Sequence, residues 1–222
     1  MRLPKLHGNI KQIHVKNCDS LYVPADSLND LTQLNELKFE NIGELDFREY
    51  SFKSTQYRPS IRLEIINSTV PQIPSHLIKG NLEELIIVDS NISKINVFAF
   101  TGFFNVITTI RIKNTQIGEI DSQAFKKLTV RNLEIIDSTF QMNSVSRTFY
   151  DCHIQNINIQ GSFFSMLNPS TFDAKEVQRL RIFNTTFGVI EGEAFMIDVS
   201  DRAIFSNNTV SMLHYGAFQG KP

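Results

Sequence analysis

Residues 107–128, ITTIRIKNTQIGEIDSQAFKKL, alternate apolar and polar side chains, turn at Asn114 and Thr115, and reach an Ala-Phe pair at Phe125. The alternation in IRIK is typical of a β-strand with one buried face. Its isoleucines are predicted to point inward, and its arginine and lysine to point outward. The segment therefore predicts one unit made of a short strand, a turn and an irregular or briefly helical return.

The same pattern recurs along the whole chain at a spacing of roughly 22 to 26 residues. LEELIIVDSNISKINVFAF begins at Leu82, and VQRLRIFNTTFGVIEGEAF begins at Val177. The other copies begin at Ile10, Leu34, Ser60, Ile107, Val130, Ile154 and Val199. A fixed period in this range is the signature of a solenoid, in which each unit buries its apolar face only against its neighbours.

Two columns of apolar residues keep the same distance from the strand in most copies, which predicts the core. The first column is a phenylalanine spine that follows the strand residue by thirteen or fourteen positions: Phe52, Phe100, Phe125, Phe149, Phe172, Phe195 and Phe218. The second column follows it by eight positions: Val23, Phe47, Ile73, Ile95, Ile120, Leu167 and Ile190. Two columns in register over one chain favour stacked repeats over scattered core residues.

This pattern resembles the leucine-rich repeat family over almost all of the chain. The Ala-Phe ending resembles extracellular members, and the isoleucine-rich version with threonine is similar to arthropod repeats of the chaoptin and Toll type. It is also similar to the non-catalytic subunit of decapod luciferin monooxygenase. The resemblance implies an α/β solenoid, right-handed, with a parallel sheet on the concave face and about nine repeats.

One column departs from the family pattern, which usually has asparagine at the inward turn position. Here that column is read as Cys18, Ile42, Ser68, Ser90, Thr115, Ser138, Ser162, Thr185 and Asn207. Hydroxyl and thiol groups can still bond to neighbouring backbone groups, so they are expected to replace most of the amide ladder.

A right-handed parallel β-helix is the competing fold, since it also repeats every twenty-odd residues with similar turns. Many proteins of that fold act on polysaccharides. The polar stretch KKL after Phe125 tolerates helix, and β-helices tend to be richer in glycine than this chain with its 10. Both observations favour the leucine-rich repeat.

Composition limits the setting of the protein. The net charge of −1 and pI near 6.5 give no electrostatic case for nucleic acid or an anionic membrane surface. No apolar run approaches the roughly 18 residues of a membrane span, and the N-terminus lacks the apolar core of a signal peptide. Residues 1–222 are interpreted as one leucine-rich repeat domain, and the absence of recognisable caps indicates a fragment of a longer chain.

The sequence carries no strong catalytic signature: no P-loop, no G-x-G-x-x-G, no H-E-x-x-H and no G-x-S-x-G. Cys152 and His153 are adjacent, but neighbours on a strand point to opposite faces, which disfavours a nucleophilic pair. The five histidines share no register and no metal-ligand spacing. We therefore expect a non-enzyme without metal or cofactor.

Four glycosylation sequons are present, beginning at Asn67, Asn91, Asn184 and Asn207. The first three flank the inward turn position and are predicted to be exposed glycosylation sites. Asn207 is read as occupying the inward position, so it is expected to be glycosylated poorly.

The outward side chains of the strands are the candidate partner-binding surface. These residues are Ile66, Ile86, Val88, Arg111, Lys113, Glu134, Ile136, Arg181, Phe183 and Phe205. Ile66, Ile86 and Val88 are read as neighbours on two strands, and Phe183 and Phe205 as neighbours on two others. Apolar patches bordered by charge are typical of interaction surfaces.

The sequence thus favours a scaffold that binds another protein on its concave face, and the resemblance implies a secreted or cell-surface glycoprotein. An adhesion or receptor ectodomain and a non-catalytic subunit of a secreted enzyme complex both fit. A β-helix that acts on polysaccharide is the remaining alternative.

Overall fold

Parallel strands stack on top of one another to form one long main sheet. The computed structural model describes residues 1–6, 8–53, 59–141 and 146–219. Within them, twenty-one strands are numbered in chain order. Nine long strands of the main sheet follow one another in sequence order: β1 (Gln12–Val23), β2 (Glu36–Phe47), β4 (Ile61–Ile66), β7 (Leu82–Val88), β10 (Ile107–Lys113), β13 (Thr129–Ile136), β15 (Phe149–Gln160), β17 (Phe172–Phe183) and β19 (Phe195–Ser206).

A second parallel sheet forms another side of the solenoid. Its strands are β5 (Thr69–Val70), β8 (Asn91–Ile95), β11 (Gln116–Ile120), β14 (Thr139–Phe140), β16 (Phe163–Leu167), β18 (Thr186–Ile190) and β20 (Thr209–Leu213). Two-residue strands begin at the phenylalanine spine or its equivalent: β3 (Phe52–Lys53), β6 (Ile78–Lys79), β9 (Phe100–Thr101), β12 (Phe125–Lys126) and β21 (Phe218–Gln219). Each unit therefore has β-structure at three places.

The predicted parallel-sheet solenoid is confirmed, whereas two finer predictions about it are not. From β1 to β19 the main sheet completes about eight turns, so the predicted nine repeats are not confirmed. No helix occurs among the described residues, so the α/β class is not confirmed either. The predicted helical return after Phe125 is instead the short strand β12, followed by a bend at Lys127 and then by β13. Right-handed winding and the concave face stay predictions.

The chain leaves each main-sheet strand through a residue with a left-handed backbone. In this turn column φ lies between 45° and 60°: Asn17, Asn41, Asn67, Asp89, Asn114, Asp137, Gly161, Asn184 and Asn207. Asparagine, aspartate and glycine tolerate this region best, which explains why the sequence places them there. The turn column therefore marks the corner between the main and second sheets.

Both predicted apolar columns are buried except at Phe218, the last residue of the phenylalanine spine, which is 47% exposed. From Phe100 onward the spine forms a continuous stack. Successive ring centroids from Phe100 to Phe218 lie 4.5–5.3 Å apart, and their planes are within 17° of parallel. A shorter stack joins Phe140, Phe164 and Phe187 at 4.6 and 5.5 Å. The residues of the second column are at most 3% exposed. The predicted core is thus confirmed in its composition and its register.

Buried hydroxyl groups line the inner side of the same corner. The backbone N–H of Thr115 donates to Ser138 Oγ at 3.2 Å, and that of Ser138 donates to Ser162 Oγ at 3.1 Å. Ser138 Oγ in turn donates to the carbonyl of Ile136 at 2.8 Å. Equivalent bonds link Ser68, Ser90, Thr115 and Thr185 to adjacent turns. The prediction that hydroxyls replace the amide ladder is confirmed.

The last turn departs from the predicted register by one residue. Val199 pairs with Val177, but Arg202 pairs with Arg179, so β19 holds one extra residue in a bulge. Phe205 consequently pairs with Ile182 in an inward column. Asn208, not Asn207, occupies the inward turn position, where its Oδ1 accepts from Thr185 N at 3.0 Å. The predicted outward Phe205 and inward Asn207 are therefore both wrong.

Phe125→Ala is expected to lower the free energy of unfolding by about 3–5 kcal/mol, because the ring is fully buried between two stacked neighbours. Urea unfolding measured by circular dichroism checks this value. Phe163→Ala is the matched control, since Phe163 is 40% exposed, and should change stability by no more than about 0.5 kcal/mol. Equal losses in both variants would contradict the stacked core.

Ser138→Ala is expected to cost about 1–3 kcal/mol, because it leaves the buried N–H of Thr115 without an acceptor. Ser138→Thr keeps the oxygen and places at position 138 a residue type that Thr115 and Thr185 already supply in this column, so it should restore most of the loss. The urea midpoints of the two variants provide the comparison. A Thr variant as unstable as the Ala variant would show that packing, not the hydrogen bond, sets the requirement.

Candidate protein-binding face

The outer face of the main sheet carries three columns of outward side chains, and adjacent strands place them side by side. In the middle column, Glu134 lies beside Asn158, which lies beside Arg181. In the column next to the turn, Ile66 pairs with Val88, and Val88 pairs with Lys113. Backbone pairing between turns therefore fixes the spacing of the outer-face side chains, which makes the face a rigid surface.

Most charges on the first half of this face neutralise one another. Glu40 accepts from both Lys38 at 3.0 Å and His14 at 2.9 Å. The hydrogen bond from Lys38 is the largest cause that lowers the pKa of Glu40, and its partnership with Glu40 raises the pKa of Lys38. Arg62 bridges Glu64 at 2.6 Å and Glu84 at 3.1 Å. These paired groups leave little uncompensated charge for a partner.

Arg111 and Glu134 continue the charge pairing toward the middle of the stack. Their side chains meet at 2.6 Å, and this hydrogen bond raises the pKa of Arg111. Ile86 lies between Glu64 and Arg111 in the same column and is only 7% exposed. The prediction that Ile86 offers apolar surface is therefore wrong, because longer neighbours cover it. Ile66 and Val88 are confirmed as neighbours and are half-buried.

Four of the candidate residues lie on β13 and β17, which are separated by β15. A shallow depression of about 270 Å³ is open there, and its walls include Glu134, Asn158 and Arg181. The short asparagine side chains leave this space between longer charged neighbours. Ile136 and Phe183 stand beside it on the column next to the turn, both half-buried, with Gln160 between them. We call this area the β13–β17 patch.

Arg181 is the unpaired charge of the β13–β17 patch. It is exposed and forms no ion pair with any residue in the described part of the chain. The nearby cation Arg179 is held by Asp201 at 3.1 Å, and Glu134 is held by Arg111. An exposed guanidinium beside half-buried apolar groups can receive a carboxylate while the apolar neighbours exclude water. This combination suits recognition of a protein surface.

The outer face lacks one predicted residue and gains others. Phe205 packs edge to face against Phe218 at 5.2 Å and lies in the inward column, so it is not a neighbour of Phe183 on the outer face. Asn132 and Asn156, which line the depression, were not predicted. The sequence signal for them is a run of short polar residues at equivalent outward positions of consecutive copies. Lys113 is exposed as predicted.

The three predicted glycosylation sites are exposed on the structure. Asn67 and Asn184 belong to the turn column, and Asn91 begins β8 on the second sheet. Asn67 Nδ2, the atom that a glycan would modify, donates to Asn41 Oδ1 at 2.8 Å. Asn207 is exposed as well, because the bulge in β19 moves it out of the inward position. Whether any of these residues carries a glycan stays a prediction.

Cys152 and His153 separate as the strand geometry predicts. Cys152 is fully buried, and its burial raises the pKa of the thiol to about 12. His153 lies outside, where its Nδ1 is 3.4 Å from a carboxylate oxygen of Glu176. A thiol held protonated at neutral pH is a poor nucleophile.

Among the described residues, no helix is long and apolar enough to cross a membrane.

Comparison with known proteins identifies one family. A family model described as the BspA type leucine rich repeat region matches the chain in six copies, over residues 7–128, 46–178 and 105–222. The matched ranges include every strand of the main sheet, β13, β15 and β17 among them. No curated protein and no solved structure matches the chain.

Proposed function

The chain belongs to the BspA-type leucine-rich repeat family, and from this premise we propose that it is a non-catalytic scaffold that binds a partner protein through the β13–β17 patch. Repeat solenoids of this kind commonly bind proteins on an extended sheet face. The observation that carries the proposal is the unpaired, exposed Arg181 beside the half-buried Phe183 and Ile136.

Rigidity supports this assignment. Every residue of the patch lies on a strand whose backbone is paired to neighbouring strands on both sides. Binding to a preorganised surface loses less conformational entropy than binding to a flexible loop. The expected partner presents an acidic side chain to Arg181 and an apolar group to Phe183. Ile66, Val88 and Lys113 extend the same face toward the start of the chain and enlarge the available contact area.

The proposed setting is extracellular or on the cell surface. It is supported by the resemblance of the Ala-Phe repeats to extracellular leucine-rich repeats and by the exposure of Asn67, Asn91 and Asn184. Within this setting, the protein is an adhesion or receptor ectodomain, or a non-catalytic subunit that holds a secreted enzyme. The proposal of an extracellular setting also draws on the resemblance of these repeats to arthropod repeats of the chaoptin and Toll type.

Site-specific photocrosslinking tests the patch. A photoreactive phenylalanine analogue at position 183 is expected to capture a partner in the native source extract, and Arg181→Glu in the same chain should reduce the yield at least about tenfold by repelling an acidic contact. Intact mass and peptide sequencing identify the captured chain. Capture that persists at full yield with Arg181→Glu would contradict the assigned role of this residue.

Two substitutions on other sides of the solenoid are the controls. The analogue at position 163 replaces another partly exposed phenylalanine, on the second sheet, and should capture nothing specific. Lys127→Glu reverses an exposed charge between β12 and β13 and should leave capture at position 183 unchanged. Equal capture at positions 163 and 183 would place the interface elsewhere.

The proposed setting predicts that the native protein carries N-linked glycans. Its intact mass should exceed the 25.4 kDa of the chain and fall after enzymatic glycan removal, with deamidation of Asn184 marking a modified site. Asn184 is the most informative position, because it is exposed and lies in none of the depressions described in this structure. An unmodified chain recovered from the cytosol would overturn the extracellular setting.

A further inference from the structure

A polar groove runs along the corner between the main sheet and the second sheet. It has a volume of about 820 Å³ and crosses six successive turns. The residues that define it belong to the turn column: Asn17, Asn41, Asn67, Asp89, Asn114 and Asp137. With stacked strands about 4.8 Å apart, these six positions span roughly 24 Å. We call this surface the amide groove.

The side chains of the amide groove hold one another in place. Asn41 Nδ2 donates to Asn17 Oδ1 at 2.9 Å, and Asn67 Nδ2 donates to Asn41 Oδ1 at 2.8 Å. Asn114 Nδ2 donates to Asp89 Oδ1 at 2.7 Å. Each amide has two N–H donors and two lone pairs on its oxygen, and the ladder uses only part of them. The remaining donors and acceptors form a row at a fixed spacing.

Charge and polarity narrow the class of ligand. The groove includes Asp19, Asp89 and Asp137 but no lysine or arginine, which disfavours an anionic ligand. Most of its lining side chains carry amides, hydroxyls or carboxylates, which disfavours a hydrophobic ligand. The described residues also contain no group of three or more histidine, cysteine, aspartate or glutamate side chains that could hold a metal ion.

Backbone bonding also disfavours an extended peptide as the ligand. The N–H groups of Asn67, Asp89 and Asn114 already donate to carbonyls of the next turn at 2.9–3.0 Å. Those of Asn91 and Gln116, on the second-sheet side of the groove, donate to the previous turn at 3.0 Å. A peptide that adds to a sheet requires free backbone groups along an edge. Recognition in the groove therefore depends on side chains.

We propose that the amide groove binds a neutral, linear oligosaccharide. Sugar hydroxyls both donate and accept hydrogen bonds, so they match a row that offers amide N–H groups together with amide and carboxylate oxygens. A chain of pyranose units repeats at a length comparable to the distance between turns, so successive units can meet equivalent side chains. The groove borders the outer face but shares no lining residue with the depression of the β13–β17 patch, so the two assignments rest on different side chains.

N-linked glycans and an external saccharide compete for part of this groove. Asn67 and Asn91 both line it and both begin sequons. A glycan on either residue would occupy the groove, so saccharide binding by the native protein requires both residues to be unmodified. The experiment therefore uses protein produced in bacteria that lack N-glycosylation. The prediction of glycosylation at Asn184 is unaffected, because that residue lies outside the groove lining.

Isothermal titration tests the proposal with defined probes: linear oligosaccharides prepared from cellulose, laminarin, mannan and starch. Saturable binding is expected for at least one of them, tighter than for its monosaccharide. In NMR spectra of the same protein, the side-chain amide resonances of Asn41, Asn67 and Asn114 should shift on binding. A sulfated heparin fragment is the charged comparison and should not bind. Failure of all four neutral probes, or binding of the heparin fragment alone, would overturn the proposal.

A double variant, Asn41→Gly with Asn114→Gly, links binding to the groove. Glycine is tolerated in the turn column, because Gly161 already occupies it with φ of +60°. Loss of two amides should weaken binding by roughly tenfold, because it removes hydrogen bonds to the saccharide at two positions of the row. Asn184→Gly makes the same substitution in the same column outside the groove and should bind like the unmodified protein.

Gln116→Ala provides a second variant that does not alter the turn column. Gln116 is exposed, begins β11 and lines the groove, so its loss should reduce affinity several-fold without changing the thermal midpoint. Unchanged affinity in both the double glycine variant and Gln116→Ala would show that any saccharide binds elsewhere, and would overturn the assignment.

Discussion

The structure depends on a hydrogen bond that repeats at one corner of every regular turn. A backbone N–H at the start of the corner donates to the buried hydroxyl of the next turn, as Thr115 does to Ser138 at 3.2 Å. The same hydroxyl donates to a carbonyl of its own strand. A buried N–H without a partner costs about 1–3 kcal/mol, so neighbouring turns have to align at this point. The alignment sets the register of both sheets that meet there, and with it the stacking of the phenylalanine spine.

The sequence was sufficient to predict the repeated strand, its inward and outward faces and the two apolar columns. These features follow from period and alternation, which depend only on residue type and spacing. The short strands near the spine were not predictable in the same way. They adjoin left-handed residues such as Gln123 and Lys127, which are not typical of that backbone region. Pairing with adjacent turns imposes this conformation, so a helix-tolerant sequence there becomes strand and turn.

The candidate site was predicted in part, for equally local reasons. Alternation identified Arg181 and Phe183 as outward, but it carries no information about how far a neighbouring side chain reaches. Ile86 points outward as predicted, but longer side chains beside it cover it. The error at Phe205 has a different source. One extra residue in β19 moves every later side chain of that strand to the face opposite the predicted one. A bulge is visible only once the pairing partner is known.

The proposed protein-binding patch lies where charged side chains of the outer face are no longer all paired with one another. On β2 and β4, lysine, arginine and glutamate pair with one another, and on β7 the apolar Ile86 is covered by such neighbours. From β13 to β17, asparagines replace several of these charges, leave a depression, and leave Arg181 exposed. The amide groove shows the same principle at the corner, where a ladder of side-chain bonds uses only part of each amide. In a stack whose backbone groups are paired from turn to turn, the unsatisfied side-chain groups are the ones that remain available for ligands.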